Sequence, residues 1–163
     1  MKLHVITTGG TIDKVYFDAK SEYEVGEPQV LEIFREANIA FEFTVESVLR
    51  KDSLEITDAD RQCIRARVLA SPCERILITH GTDTMTQTAL VLADIPGKTI
   101  VLTGSMQPAR FRGTDAVFNI GTAIGAVQSL PHGVYLAING LILDPARARK
   151  NRARQCFEEI PSP

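Results

Sequence analysis

Short apolar runs that alternate with helix-patterned segments constrain this chain more than any other feature. Residues 3–8, 75–79 and 99–103 are almost continuously apolar, the pattern of strands covered on both faces. Residues 41–49 alternate instead, with Phe41, Phe43 and Val45 against Glu42, Thr44 and Glu46, which predicts a strand exposed on one face. Residues 134–138 supply a fifth strand, and Asn139-Gly140 predicts a tight hairpin into Leu141-Ile142-Leu143. Helices are predicted in between. One follows Pro28, with Val30, Leu31, Ile33 and Phe34 on its apolar side. A second opens at Thr57-Asp58-Ala59-Asp60, a capping box with Asp in place of Glu, and runs to about Ala70. A third covers residues 84–94, and a fourth starts at Thr114-Asp115. Residues 13–27 are polar and mixed and read as a loop, long enough for a lid or binding loop.

Strand–helix alternation argues for an α/β fold with a mostly parallel sheet and right-handed crossovers. The most economical arrangement is a flavodoxin-like three-layer sandwich with strand order 2-1-3-4-5. The 163 residues suit one domain over 1–163, and a domain of that size buries roughly 70% of its unfolded surface. In that order strands 1 and 3 lie side by side, with their helices leaving on opposite faces. Ligands bind such folds in the crevice at the carboxyl ends of the strands. Two polar turns, Thr7-Thr8-Gly9-Gly10-Thr11 and His80-Gly81-Thr82-Asp83-Thr84, are expected to face each other there.

Composition excludes several classes. A net charge of −2 gives no field favouring nucleic acid or an anionic membrane. No apolar run approaches the roughly 20 residues needed to span a bilayer, and the N-terminus is too short in apolar residues for a secretory signal. Cys63, Cys73 and Cys156 are odd in number and lack metal-like spacing; incidental thiols in a reducing compartment make the cytoplasm the expected location. Five basic residues crowd the stretch from Arg147 to Arg154, which reads as a solvated charged segment without the aromatics of a nucleic-acid site.

A threonine hydroxyl becomes a nucleophile when a base takes its proton or a cation lowers its pKa. Glycine-flanked turns offer main-chain donors for an oxyanion. No G-x-S-x-G elbow, Walker A sequence, G-x-G-x-x-G fingerprint or metal-ligand cluster is present. The residues alone leave simpler readings open: Thr11 as a turn residue, Thr82 and Asp83 as helix N-caps, Ser53 as a turn residue, Tyr23 as a loop anchor, and His80 as a structural hydrogen-bonding residue.

Thr7-Thr8-Gly9-Gly10-Thr11-Ile12 resembles the first signature of the bacterial-type L-asparaginases, an amidohydrolase family, and Thr79-His80-Gly81-Thr82-Asp83-Thr84 resembles the second. The resemblance continues through Leu102-Thr103-Gly104-Ser105-Met106 and Leu143-Asp144 to Lys150. It implies hydrolysis of L-asparagine to L-aspartate and ammonia, with weaker glutaminase activity and no cofactor. By position, Thr11 resembles the nucleophile, beside a loop tyrosine that Tyr23 fits best, with Tyr16 as runner-up. Thr82, Asp83 and Lys150 resemble a second cluster in which the lysine polarises Thr82. Ser53 and Asp83 resemble the groups holding the substrate's α-carboxylate and α-amino ends. The Ser105 carbonyl matches a contact to the side-chain amide, and Gly10 and Gly81 belong to the substrate-binding turns. The resemblance draws Lys150 inward, out of the solvated basic run.

Family members usually carry a second, C-terminal domain, whereas this sequence ends at Pro163. The expectation is therefore a short, single-domain bacterial L-asparaginase equivalent to the family's N-terminal domain, or else a segment of a longer protein. A homo-oligomer, dimer or tetramer, is expected with it. Two alternatives remain: an amidase acting on glutamine or on a misacylated tRNA, and a non-catalytic amino-acid-binding domain.

Overall fold

The structure, a computed structural model, describes residues 1–17 and 22–161. Residues 18–21, in the middle of the predicted 13–27 loop, and residues 162–163 lie outside the described residues.

A six-stranded sheet forms the middle layer. Its strands are β1 (Lys2–Gly9), β4 (Glu42–Lys51), β5 (Arg75–Thr79), β6 (Thr99–Thr103), β7 (Gly133–Ile138) and β8 (Leu141–Leu143), in spatial order β4-β1-β5-β6-β7-β8. The first five are mutually parallel and β8 returns antiparallel to β7. This is the predicted order 2-1-3-4-5 with the predicted hairpin added. Asn139 (φ 53) and Gly140 (φ 77) make its turn, as two left-handed residues do in a two-residue hairpin.

Period-two alternation in the buried strands feeds two cores. Ile76, Ile78, Ile100, Leu102, Leu136 and Ile138 pack with residues of α2 (Asp58–Ala70) and α3 (Met85–Val91). Leu3, Val5, Leu77, Val101 and Ala137 face α1 (Val30–Glu36) and α4 (Ala116–Ser129). The result is the expected three-layer sandwich. The capping box at α2 is present: Asp60 N donates to Thr57 Oγ1 at 3.2 Å and Thr57 N donates to Asp60 Oδ2 at 2.8 Å.

Two hairpins depart from the sequence reading. Lys14–Phe17 (β2) pairs antiparallel with Glu22–Val25 (β3) inside the stretch read as a loop. Ala148–Asn151 (β9) pairs antiparallel with Cys156–Glu159 (β10) in the segment read as solvated charge. Tyr16 stands opposite Tyr23 with ring centroids 5.4 Å apart. Arg149 donates to Glu158 across the second ladder, and Phe157 and Ala148 enter the core. Cross-strand pairs rather than alternating hydrophobicity hold both. Among the described residues no helix is long and apolar enough to cross a membrane, and no group of three or more His, Cys, Asp or Glu could hold a metal ion.

Candidate active site

Both polar turns leave the carboxyl ends of adjacent strands. In register, Thr7 pairs with Thr79 and Thr79 with Thr103, so a row of fully buried threonines underlies the turns. Gly10 has φ 88 and ψ −173, a conformation essentially confined to glycine. A Cβ there would stand 2.4 Å from Gly81 Cα. The two turns therefore touch backbone to backbone, and Thr11 follows at once in a 3-10 turn over Thr11–Asp13.

The second turn is wedged from below. A Cβ on Gly81 would lie 2.6 Å from Ser53 Cβ. Asp83 N donates to Ser53 Oγ at 3.2 Å, and Thr84 Oγ1 donates to Ser53 O at 2.7 Å. His80 is fully buried, with Nδ1 2.8 Å from Gly81 O and Nε2 2.8 Å from Thr88 Oγ1. A carbonyl only accepts, so Nδ1 carries the proton and Nε2 accepts from the hydroxyl. Burial pushes the His80 pKa down to about 4, which keeps the ring neutral. It braces the turn, as the sequence reading of a structural histidine anticipates.

Neither Thr82 nor Asp83 caps α3, which begins at Met85. Their side chains meet β9 instead. Lys150 Nζ donates to Thr82 Oγ1 at 2.6 Å and to Asp83 Oδ1 at 3.0 Å. The exposed Arg152 donates to the same Asp83 oxygen at 3.3 Å. Thr11, Thr82, Asp83 and Lys150 line one cavity of about 210 Å³, which Met106, Arg152 and Gln155 complete. A larger depression beside Met1, Pro72 and Gln128 contains none of the predicted site residues.

The predicted residues thus fall into three groups. Thr11, Thr82, Asp83 and Lys150 share the cavity. Gly10, Gly81, Ser53 and Ser105 are not among its lining residues: Gly10, Gly81 and Ser53 pack against one another behind the two turns, and Ser105 is 1% exposed with its hydroxyl donating to Gln107 O. Tyr23 is half exposed, stacked edge-on with Tyr16 and Phe111, and is not among the lining residues. Tyr16, the runner-up, is equally exposed.

Sequence reasoning missed the lining residues Met106, Arg152 and Gln155, and outside the lining the buried Asp13. Gln155 sits at φ 49 in the β9–β10 turn, an uncommon conformation for a non-glycine residue. Asp13 is 2% exposed, and its carboxylate accepts Gln29 N at 2.8 Å. Burial pushes its pKa up to about 7, against the opposing pull of that bond and of Arg50. The signal that locates Arg152 and Gln155 is the charge mirror of Arg147 and Arg149 with Glu158 and Glu159, which forecasts a hairpin and hence a turn beside Lys150.

A family model described as asparaginase, N-terminal, matches residues 2–163. The L-asparaginase of Thermococcus kodakarensis is 32% identical over 158 residues, covering 92% of this chain and 48% of that protein. The solved structure of the thermostable L-asparaginase from T. kodakarensis superposes with a TM-score of 0.83 at 31% identity, covering 100% of this chain and 52% of that one. L-asparaginase I from Vibrio cholerae gives 0.85 at 26% identity, covering 99% and 52%. A glutamyl-tRNA(Gln) amidotransferase subunit of Aeropyrum pernix is 32% identical over 147 residues, 80% of this chain and 33% of that protein. The chain spans about half the length of the L-asparaginases it matches. Given the match over residues 2–163 and the two signature turns in backbone contact, the chain belongs to the asparaginase N-terminal family.

Proposed function

We propose that this chain carries the catalytic crevice of an L-asparagine amidohydrolase. The observation that carries the reading is the Lys150 ammonium, held at 2.6 Å from Thr82 Oγ1 and 3.0 Å from Asp83 in the cavity that Thr11 lines. A cation on a hydroxyl lowers that hydroxyl's pKa, so Thr82 is prepared to exchange a proton with groups in the cavity. Thr11 Oγ1 attacks the side-chain carboxamide carbon. Main-chain N–H groups of the turns stabilise the developing oxyanion. The C–N bond then breaks, and the Thr11 hydroxyl proton ends on the departing nitrogen, which leaves as ammonia. Water cleaves the acyl-threonine ester, releasing aspartate and restoring the hydroxyl. Asp83 holds the substrate's α-ammonium, and Ser53, which accepts Asp83 N, fixes the loop that meets the α-carboxylate. Because Tyr23 stands outside the lining, Lys150 and Thr82 are the proton-handling pair in contact with the cavity.

A second reading, an amidase on misacylated tRNA, draws on the similarity to a glutamyl-tRNA(Gln) amidotransferase subunit. Ion pairs in the basic run count against it: Arg147 is engaged by Glu159, Arg149 by Glu158, and Arg152 by Asp83. A cytoplasmic homo-oligomer goes with the leading reading. Its three free thiols suit a reducing compartment, and light scattering reads the assembly directly. Steady-state kinetics on L-asparagine and L-glutamine side by side test the substrate, with kcat/KM expected to favour asparagine. For Lys150→Met, kcat on asparagine is expected to fall by about 10²–10⁴-fold with the melting temperature retained. Preference for glutamine, or an unchanged kcat in the variant, contradicts the assignment.

A further inference from the structure

The Thr82–Lys150 contact joins two segments 68 residues apart, so something must fix them relative to each other. Thr82 follows β5, and its turn is flanked by Gly104, where a Cβ would sit 2.2 Å from His80 O. Lys150 lies on β9, opposite Phe157 of β10. Two asparagine side chains connect these parts. Asn119, fully buried on α4, donates from Nδ2 to Gly104 O at 2.9 Å and to Asp115 Oδ2 at 2.9 Å. Its Oδ1 accepts Asn139 N at 3.0 Å. Asn139 sits in the β7–β8 turn at φ 53, and its own Oδ1 accepts Phe157 N at 2.9 Å. Asp115, the other partner of Asn119, accepts the main-chain N–H groups of Met106 and Gln107, so the wall containing Met106 joins the same network.

We propose that Asn119 and Asn139 form a two-amide strut that sets Lys150 against Thr82, making both positioning residues for the reaction. The proposal rests on the reading of Lys150 and Thr82 as proton-handling groups. Only a carboxamide suits the Asn119 position, because one end must donate to a carbonyl and a carboxylate while the other accepts a main-chain N–H. At Asn139 the side-chain oxygen is the working atom, and asparagine also tolerates the left-handed backbone. The strut grips the Phe157 main chain, one cross-strand position from Lys150, so losing it frees β10 without touching the cavity. A displacement near 1 Å there is enough to cost about 100-fold in rate.

The test compares Asn139→Gly, which keeps the left-handed turn and deletes the acceptor, with Asn139→Asp, which keeps an oxygen acceptor. Asn139→Ser, whose shorter hydroxyl falls short of Phe157 N, serves if the glycine variant fails to fold. Three quantities are read on each folded protein: kcat and KM on L-asparagine, the rate of reductive methylation of Lys150 followed by mass spectrometry, and the melting temperature. The acceptor-deleting variant is expected to lose about 10–100-fold in kcat, with KM within about two-fold and Lys150 methylated faster. Asn139→Asp is expected to stay near wild type in all three. The proposal is overturned if a folded acceptor-deleting variant keeps wild-type kcat and Lys150 reactivity, or if Asn139→Asp loses as much as it does. Lys150→Met in the same assay separates the two claims. Full activity in that variant removes the catalytic reading, whereas the methylation rates report on the strut whatever the activity.

Discussion

At the scale of single residues, the site turns on how many cations share Asp83. Lys150 and Arg152 both donate to its Oδ1, at 3.0 and 3.3 Å. They differ in setting: the Lys150 side chain is 19% exposed and that of Arg152 74%. An exposed pair of the second kind is worth about 0–1 kcal/mol, so Arg152 is easily displaced. If Asp83 holds the α-ammonium of asparagine, the guanidinium competes with substrate for the same oxygen. Arg152→Ala is then expected to lower the KM for L-asparagine by about two- to five-fold, read from initial rates of ammonia release. A raised KM contradicts this and makes the guanidinium a ligand of the substrate carboxylate instead. Arg152 escaped the sequence reading because the charge mirror of the hairpin places a turn beside Lys150 without saying which basic residue of the run reaches Asp83. Lys150 was singled out only through its place in the family's pattern.

At the scale of elements, the turns depend on Gly10 and Gly81, whose side-chain space is already occupied. Gly10 combines φ 88 with a neighbour 2.4 Å from where a Cβ would stand, whereas Gly97 has φ 69 and open space around it. Gly97→Ala is expected to cost about 1–2 kcal/mol, the left-handed penalty alone. Gly10→Ala is expected to cost more and to abolish turnover, because the first turn must move off Gly81. Urea denaturation of the two variants checks the ordering, and equal losses contradict it. The strands and helices around these turns were legible in sequence because continuous apolar runs and capped amphipathic stretches report burial directly. Even the 2-1-3-4-5 order followed, since few topologies accommodate five such strands. The hairpins β2–β3 and β9–β10 were not legible from hydrophobic alternation. Lys14-Val15-Tyr16-Phe17 and Arg149-Lys150-Asn151 show no clean alternation, and what holds them is cross-strand: Tyr16 on Tyr23, Arg149 on Glu158. Of the site, the cavity-lining Thr11, Thr82 and Asp83 were marked by their turns. The Asn119–Asn139 strut gave no signal, because a buried asparagine in a helix is identified only by what it touches.

At the scale of the whole molecule, two buried groups bias stability in opposite directions with pH. Asp13 has its pKa raised from 3.8 to about 7, chiefly by burial. Between those values the folded state keeps a proton that the unfolded chain releases, so this contribution is full below pH 4 and is lost as pH rises to 7. A shift of that size corresponds to on the order of 4 kcal/mol. His80 is lowered from 6.5 to about 4, again by burial. There the unfolded chain binds the extra proton, so stability rises with pH across the same window. The two slopes oppose each other, so the wild-type dependence on pH between 4 and 6.5 is expected to be shallower than that of the buried histidines alone. In Asp13→Asn the slope of His80, joined by the likewise buried and lowered His4, is no longer opposed by Asp13, and denaturation midpoints should climb with pH over that range. Parallel profiles for the two proteins contradict the burial account of Asp13. The central claim concerns chemistry at the junction of the two turns, and ammonia release from L-asparagine by wild type and by Thr11→Ala tests it most directly. Turnover by the wild type and its loss in a variant with an unchanged melting temperature is the predicted result. No ammonia from the wild type, or undiminished release by Thr11→Ala, contradicts it.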